Sequence, residues 1–429
     1  MKMFNRRDFL QVAGYGGFAL ATFNPLTAIG KSSGSGHVIV VGGGFGGATC
    51  AKYLNRFDPN LKITLIEAGK HFTTCPFSNA VLAGMRNIES ITHGYNAQKK
   101  RGIHVVHARV TQVDATAKKV TLDNGKKLSY DRLVMSPGID FKWDKVEGMK
   151  AKDAETIPHA WHGGSQTTIL QNQIQAMDNG DVFIIAPPDN PFRCPPGPYE
   201  RVSLIAHYLK QHKPKSKILI LDAKDKFSKQ PLFMEGWQKL YPNMIEWVSG
   251  SKGGRIDFID VNKRTVHTEA GDTHKGAVIN LIPPQKAGEI VQTAGLTNND
   301  GWCPVDQRTF ESLVHPGIHI IGDASIAGKM PKSGFAANSQ GKVCAAAVVS
   351  ALHGLVMPEP SYVNTCYSLV SPDYGISVAA VYRYSKDKGI YSVESSGGVS
   401  PKDANAEFRI KEARYAVGWY DSITADVFS

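Results

Sequence analysis

The 429-residue chain is poor in cysteine, with six: Cys50, Cys75, Cys194, Cys303, Cys344 and Cys366. That is too few for a disulfide scaffold of this size, so where each lies matters more than their number. No Cys-x-x-Cys-His occurs, which excludes a c-type haem attachment on this chain. No Cys/His spacing marks a zinc site, so no metal site is expected. No stretch is apolar for long enough to span a ~30 Å hydrocarbon core. There is no internal repeat, and no low-complexity run beyond short Gly/Ser linkers. The net charge is +11, but the Lys and Arg are scattered rather than gathered into a stripe. A solvated basic surface is expected, not a nucleic-acid site. What is present is ordinary globular composition, 42% hydrophobic and 20% charged, at a length suited to two or three domains.

The first thirty residues look like an address. Asn5-Arg6-Arg7-Asp8-Phe9-Leu10 places adjacent arginines before Phe-Leu. A modestly apolar run follows over 12–23, then small residues at Ala28-Ile29-Gly30. This is the pattern of a twin-arginine export signal, so residues 1–30 are set apart from fold reasoning and a periplasmic location is expected. An export route for folded proteins suits a chain that takes up a large cofactor first.

The mature chain is organised around Val38-Ile39-Val40-Val41-Gly42-Gly43-Gly44-Phe45-Gly46-Gly47. It predicts a buried strand, a glycine turn and a helix starting at Gly47. Gly42, Gly44 and Gly47 stand in G-x-G-x-x-G register, for a tight turn, close approach to a pyrophosphate, and close helix–strand packing. Phe45 lies within the same turn. Leu61-Lys62-Ile63-Thr64-Leu65-Ile66-Glu67 predicts a second strand, with Glu67 where a ribose-binding acid is expected. These features predict a dinucleotide site.

Further along, residues 102–106 and 119–122 predict strands, with Asp123-Asn124-Gly125 as a hairpin turn. A strand at 130–135 ends in Ser136-Pro137-Gly138. A second strand–helix–strand unit is expected from strand 181–186, helix 200–211 and strand 217–222. Its first turn, Ala186-Pro187-Pro188-Asp189-Asn190-Pro191, lacks the glycines of a nucleotide loop. Proline has no N–H to offer a phosphate, which argues against direct NAD(P)H use. Residues 317–324 predict a buried strand ending in Gly322-Asp323. Met330-Pro331-Lys332-Ser333-Gly334 follows, then a small-residue helix over about 336–353.

This order resembles the two-domain flavoprotein disulfide reductases. The expected fold class is α/β, with two interleaved doubly wound dinucleotide-binding-type domains and a C-terminal interface domain. The expected boundaries are 1–30 signal, 36–158 first part of the FAD domain, 159–285 second unit, 286–357 second part of the FAD domain, and 358–429 interface domain. The resemblance implies that Asp323 binds the ribityl or phosphate part of FAD. It also implies that the helix after Ser333 points its N-terminus at the flavin pyrimidine ring, where charge collects on reduction. The reductases' C-x-x-x-x-C pair is absent after the first βαβ, where Cys75 stands alone and Ala80 takes the partner's place. Cys50 and Cys344, on small-residue helices, are expected to be buried packing residues. Cys194 and Cys366 lie in Pro- or Asn-marked, loop-like contexts suited to a cleft, and Cys303 is open to either reading.

Several runs make the resemblance narrower: Thr74-Cys75, Phe192-Arg193-Cys194-Pro195-Pro196-Gly197-Pro198-Tyr199-Glu200, Asn280-Leu281-Ile282-Pro283-Pro284-Gln285, Gly301-Trp302-Cys303-Pro304-Val305-Asp306 and Asn364-Thr365-Cys366-Tyr367. Along nearly its whole length the mature chain resembles the flavoprotein subunit of flavocytochrome c sulfide dehydrogenase. That resemblance implies a thioether from Cys75 to FAD and a Cys194–Cys366 redox disulfide. It further implies sulfide as substrate and a separate c-type cytochrome subunit as electron acceptor. Glu200 is the candidate for proton handling beside Cys194, and Lys332 for stabilising reduced flavin. Gly138, Gly322, Ser333 and Gly334 complete the expected cofactor contacts. A sulfide:quinone oxidoreductase shares this architecture but should expose an apolar amphipathic C-terminal stretch; residues 406–428 instead predict a helix docked on protein. The remaining alternative is a non-catalytic flavoprotein partner of a sulfur-oxidation complex.

Overall fold

The computed structural model describes residues 36–429, so the twin-arginine segment expected at 1–30 lies outside the described residues. Val38, Ile39 and Val40 are fully buried, as a β-branched run covered on both faces should be. Their strand, His37–Val41, is central in a parallel sheet with spatial order Ile318–Ile320, Arg132–Met135, His37–Val41, Lys62–Ile66, His104–Val106. Its outermost member on one side, Ile318–Ile320, is supplied only after the whole second unit has been traversed. The chain therefore leaves this sheet and returns to it.

Two glycines make the first turn possible. Gly42 has φ +95°, and a Cβ there would meet the Ser136 carbonyl oxygen at 2.2 Å. A Cβ on Gly47 would stand 1.9 Å from the Gly42 carbonyl oxygen. The helix runs over Phe45–Phe57. It thus begins two residues before the expected Gly47, because Gly44 already takes an extended N-cap conformation and its carbonyl accepts from Ala48 N at 3.0 Å. The helix Gly334–Leu352 packs closely on it: a Cβ on Gly341 would reach the Gly46 carbonyl oxygen at 2.6 Å. Cys50 and Cys344 are fully buried on these two helices, in packing positions.

The second unit is a four-stranded parallel sheet in the order Ile245–Val248, Lys217–Leu221, Val182–Ala186, Val278–Leu281. The helix Gly197–His212 connects its first two strands in sequence and carries Glu200 in its first turn, where a carboxylate complements the N-terminal dipole. A two-stranded antiparallel link, Ile139–Phe141 with Gln285–Ala287, ties the crossing segments between the units.

The C-terminal part is an antiparallel sheet led by the long hairpin Ser361–Ser371 with Tyr374–Ser385, followed by the helix Ala406–Phe428. That helix buries Ala413, Ala416, Tyr420, Ile423, Val427 and Phe428. The Phe428 ring lies 6.2 Å from that of Phe45 and 5.8 Å from that of Phe72, so the C-terminal helix closes over the glycine turn. No helix among the described residues is long and apolar enough to cross a membrane.

Gly47→Ala places a methyl group against backbone that cannot yield. It is expected to cost about 1–3 kcal/mol and to lower the flavin retained. Urea unfolding and flavin absorbance check this; a wild-type midpoint would contradict the close approach.

Candidate functional site

The dinucleotide side is built around the glycine turn. A cleft of about 480 Å³ opens beside it, lined by Gly42, Glu67, Pro137, Ile139, Asp140 and His162 among others, a size suited to a small-molecule site. Glu67 accepts from Gly43 N at 2.7 Å and from Gly69 N at 3.0 Å, so the expected ribose acid is held at the turn. Gly43, outside the fingerprint, is also required: a Cβ there would strike the Tyr95 hydroxyl at 2.5 Å. A Cβ on Gly44 would stand 3.1 Å from the Phe72 ring. Phe45 is buried behind the turn, and Gly334 packs against its ring. Gly138 has φ +69°, with its carbonyl accepting from Gly288 N at 3.0 Å.

At the far end of the first sheet, Gly322 N donates to Gln340 Oε1 at 2.7 Å. Asp323 is half-buried, and its enclosed Oδ1 has no partner among the described residues. Its other oxygen lies 3.9 Å from Arg193 Nη1. Burial raises the Asp323 pKa, against the opposing pull of Arg193 and Lys332. An unpartnered buried carboxylate oxygen costs stability unless a ligand donor meets it, which fits the hydroxyl of a cofactor at this strand end. Lys332 Nζ donates to the carbonyls of Asp323 (2.7 Å) and Ser325 (3.0 Å) and lies 3.8 Å from the centre of the Trp302 ring. Burial lowers its pKa to about 8, with Asp323 and Cys303 opposing the shift. Ser333 caps the long helix, accepting from Ala336 N at 3.1 Å and donating to Asn364 Oδ1 at 2.6 Å. Cys303 is fully buried, with its thiol pKa pushed up to about 12 by burial.

The thiols meet elsewhere. Cys75, Cys194 and Cys366 line one small cavity of about 60 Å³, together with Glu200, Arg201, Trp161, Arg193 and Trp419. Cys194 sits just before the helix Gly197–His212 in a left-handed conformation, φ +57°, which costs a non-glycine residue local strain. Two bonds hold it: Cys194 N donates to the Lys332 carbonyl, and its own carbonyl accepts from Gly197 N, both at 2.8 Å. A Cβ on Gly197 would come within 3.0 Å of the Cys194 sulfur. Cys75 Sγ donates to the Trp161 carbonyl at 3.2 Å, and the Arg193 guanidinium donates to the same oxygen.

Cys366 corrects an expectation. It lies in the middle of the strand Ser361–Ser371, paired with Val378, and not in a loop. Its neighbour Leu369 offers its N–H to Glu200 Oε1 at 2.9 Å, while Asn79 Nδ2 donates to Glu200 Oε2 at 2.8 Å. Glu200 is therefore an enclosed helix residue rather than a solvated loop glutamate. Burial raises its pKa, and the bonds from Leu369 and Asn79 offset part of the rise. Burial also raises the Cys194 thiol, helped by Cys366, Glu200 and Cys75 and opposed by Arg193. For Cys366 burial again leads, opposed by Lys229. All six cysteines are free thiols in this structure, so the expected Cys194–Cys366 bond is not formed here; burial disfavours both thiolates, which leaves the pair as neutral thiols.

The acid at the end of the second unit's second strand is not free to meet a nucleotide ribose. Asp222, at the end of its second strand, accepts from Lys224 N (3.0 Å) and Lys224 Nζ (2.6 Å) on one oxygen. The other accepts from the Tyr199 hydroxyl (2.5 Å) and Trp247 Nε1 (3.0 Å). Those four donors fill a carboxylate's lone pairs. Tyr199 is in turn stacked on Phe227, centroids 3.7 Å apart. Among the described residues no group of three or more His, Cys, Asp or Glu is placed to hold a metal ion.

Two interleaved parallel sheets, a glycine turn with its cleft and a separate chamber of thiols define a flavoprotein disulfide reductase-like oxidoreductase. A family model described as pyridine nucleotide-disulphide oxidoreductase accordingly matches residues 36–166. The chain belongs to the family of the sulfide dehydrogenase (flavocytochrome c) flavoprotein chain: the model of its central part matches residues 167–283, and that of its flavin-binding part residues 358–428. A flavoprotein chain of that description from Chlorobaculum thiosulfatiphilum is 60% identical over 48 residues, which is 11% of this chain and 100% of that sequence. The mouse mitochondrial sulfide:quinone oxidoreductase is 21% identical over 304 residues, 67% of this chain and 65% of that protein. The crystal structure of the sulfide:quinone oxidoreductase from Aquifex aeolicus aligns with a TM-score of 0.69 over 91% of both chains at 19% identity, a likeness of fold.

Asp323 supports a pH prediction. A carboxyl whose folded pKa is raised makes the fold less stable as pH rises from the ordinary carboxylate range through the raised value. Flavin-free Asp323→Asn is expected to be more stable than wild type at neutral pH by on the order of 1 kcal/mol, with the gap closing in acid, and to retain less flavin. Denaturant melts at two pH values check it; a gap that widened in acid would refute the assignment.

Proposed function

We propose that this chain is the flavoprotein part of a periplasmic sulfide:cytochrome c oxidoreductase. The observation that carries the reading is the meeting of Cys75, Cys194, Cys366 and Glu200 around one cavity of about 60 Å³. A cavity of that size holds a few water-sized species, which suits hydrosulfide.

FAD is the cofactor that the glycine turn, Glu67 and the orphan oxygen of Asp323 fit; when bound, it accepts an electron pair and releases electrons singly to haem. Cys75 tethers it through a thioether in this reading, keeping the cofactor on the chain outside the cytoplasm. Cys194 and Cys366 act as a redox pair, present here as thiols. In the oxidised pair, hydrosulfide attacks one sulfur. One S–S bond breaks, a persulfide forms, and the other cysteine leaves as thiolate. A second hydrosulfide attacks the outer persulfide sulfur and departs as the disulfide anion HSS⁻, returning a cysteine thiol. Closing the Cys194–Cys366 bond again releases one proton and two electrons. The sum is 2 HS⁻ → HSS⁻ + H⁺ + 2 e⁻, the electrons passing on singly to the c-type haem of a separate cytochrome subunit. Glu200, with its pKa raised by burial, exchanges the proton beside the pair.

A quinone acceptor is the competing reading, because several relatives are named sulfide:quinone oxidoreductases. The C-terminal helix supports the cytochrome instead: Ala413, Ala416, Tyr420, Ile423, Val427 and Phe428 are buried in the protein, and the exposed Phe408, Tyr415 and Val417 stand among exposed Glu407, Lys411, Arg414 and Asp421 rather than forming a broad apolar face for a membrane surface.

Four measurements test the reading. Purified protein should reduce cytochrome c with sulfide faster than it reduces a soluble quinone. Cys194→Ser should lower sulfide-dependent reduction by about 100-fold or more without releasing flavin; turnover at the wild-type rate would end the disulfide mechanism. Mass analysis of acid-denatured holoprotein should find FAD on the peptide containing Cys75, and flavin that separates freely would remove the thioether. Failure of sulfide to bleach the flavin would favour the non-catalytic alternative.

A further inference from the structure

Arg201 was not among the residues that sequence reasoning selected, yet it is one of the largest fully buried side chains, 1% exposed. A guanidinium taken out of water ordinarily faces a carboxylate. This one does not. Nε donates to Asn79 Oδ1 at 3.0 Å. Nη1 donates to the His159 carbonyl at 3.0 Å and to Asn280 Oδ1 at 2.8 Å, and Nη2 to the Ala160 carbonyl at 2.7 Å. All four acceptors are neutral oxygens, and its face lies 4.8 Å from the Trp161 ring centre. Arginine has five N–H groups, so one on Nη2 remains beyond these bonds.

The residue lines the same cavity as Cys75, Cys194 and Cys366. The other charges nearby are engaged or muted. Arg193 faces Asp323, and Lys229, whose Nζ donates to Ser368 Oγ at 2.8 Å, does not line the cavity. Glu200 is bound by two neutral donors, and burial favours its protonated form. His159, on the same side, is held neutral, its pKa brought down to about 3 chiefly by burial. Arg201 itself stays charged at neutral pH, burial bringing it down only to about 10. The cavity is thus walled by a fixed cation that no carboxylate among the described residues pairs directly.

We propose that Arg201 is the positive pole of the cysteine chamber and makes it selective for sulfur monoanions, hydrosulfide and the thiolates formed from it, over neutral molecules of the same size. The proposal rests on the functional reading above, but its test needs no sulfide turnover. The oxygens of Asn79, His159, Ala160 and Asn280 hold the guanidinium rigid, so the charge is present before an anion arrives.

The test uses full-length holoprotein whose thiols have been reduced, alkylated with iodoacetate or iodoacetamide, which differ in one carrying a carboxylate and the other an amide. Rates at Cys194 and Cys366 are read by peptide mass. The iodoacetate-to-iodoacetamide ratio should exceed that of free cysteine in the same buffer by about tenfold. Arg201→Gln should bring it to the free-cysteine value or below, and Arg201→Lys should restore most of it. A wild-type ratio at or below that of free cysteine overturns the proposal, and that comparison stands even if Arg201→Gln does not fold. A ratio unchanged in folded Arg201→Gln also overturns it. Should the chamber admit neither reagent, azide, a smaller monoanion, is titrated against the flavin absorption band. A shift in wild type that Arg201→Gln loses is expected, and no shift in wild type refutes the idea. A holding ratio without sulfide-dependent bleaching would sink the functional reading and leave the anion chamber standing.

Discussion

The cysteine chamber depends on one guanidinium being met by oxygens from distant parts of the chain. Arg201 joins the short helix that carries Asn79, the loop carrying His159 and Ala160, and the strand carrying Asn280. Asn79 also donates to Glu200 and to the Gly197 carbonyl, so the same amide sets the proton-handling carboxyl and the turn behind Cys194. Asn280 closes the arrangement by donating to the carbonyls of Pro158 and His159. A buried charge without these bonds would be costly. With them, loops that individually have little reason to be rigid are fixed around three thiols.

Cofactor cleft and chamber are joined through short polar links rather than by a shared wall. Cys194 is bonded to the Lys332 carbonyl, Lys332 to the Asp323 carbonyl, and Arg193 faces Asp323 while sharing the Trp161 carbonyl with Cys75. The left-handed conformation of Cys194 is retained because these contacts over-determine it. Chemistry at the sulfur is therefore mechanically close to the strand end where the cofactor hydroxyls are expected.

Much of the fold was legible in the sequence because its signals are local. The β-branched run at Val38–Val41, the glycines at 42 and 47 and the Gly322-Asp323 turn each state their geometry within a few residues. The proline-marked second turn did the same in the negative sense. Cys366 was misread because Asn364-Thr365-Cys366 resembles a loop in isolation. The better signal was alternation: Tyr362 and Asn364 point inward while Ser361 and Val363 face out, and the hairpin partner Tyr374–Ser385 was needed to see it. Arg201 could not be found that way. It stands directly after Glu200 in a motif already noticed, but its partners lie at 79, 159, 160 and 280, and nothing local distinguishes it from a surface arginine on a helix. Gly43 was passed over for the same reason, since the Tyr95 hydroxyl that demands it comes from another element.

The return of the strand Ile318–Ile320 to the first sheet, and the closing of Phe428 over Phe45, bear on how the protein is made. No early portion of the chain contains a finished cofactor cleft, because its sheet, its orphan carboxylate and its aromatic lid arrive in that order from residues far downstream. Such long-range pairing forms slowly and late. A nascent chain emerging from the ribosome therefore has nowhere to keep a flavin, and loading must follow synthesis. Possession of the cofactor becomes, in effect, a certificate that the molecule has been completed from its first strand to its closing helix.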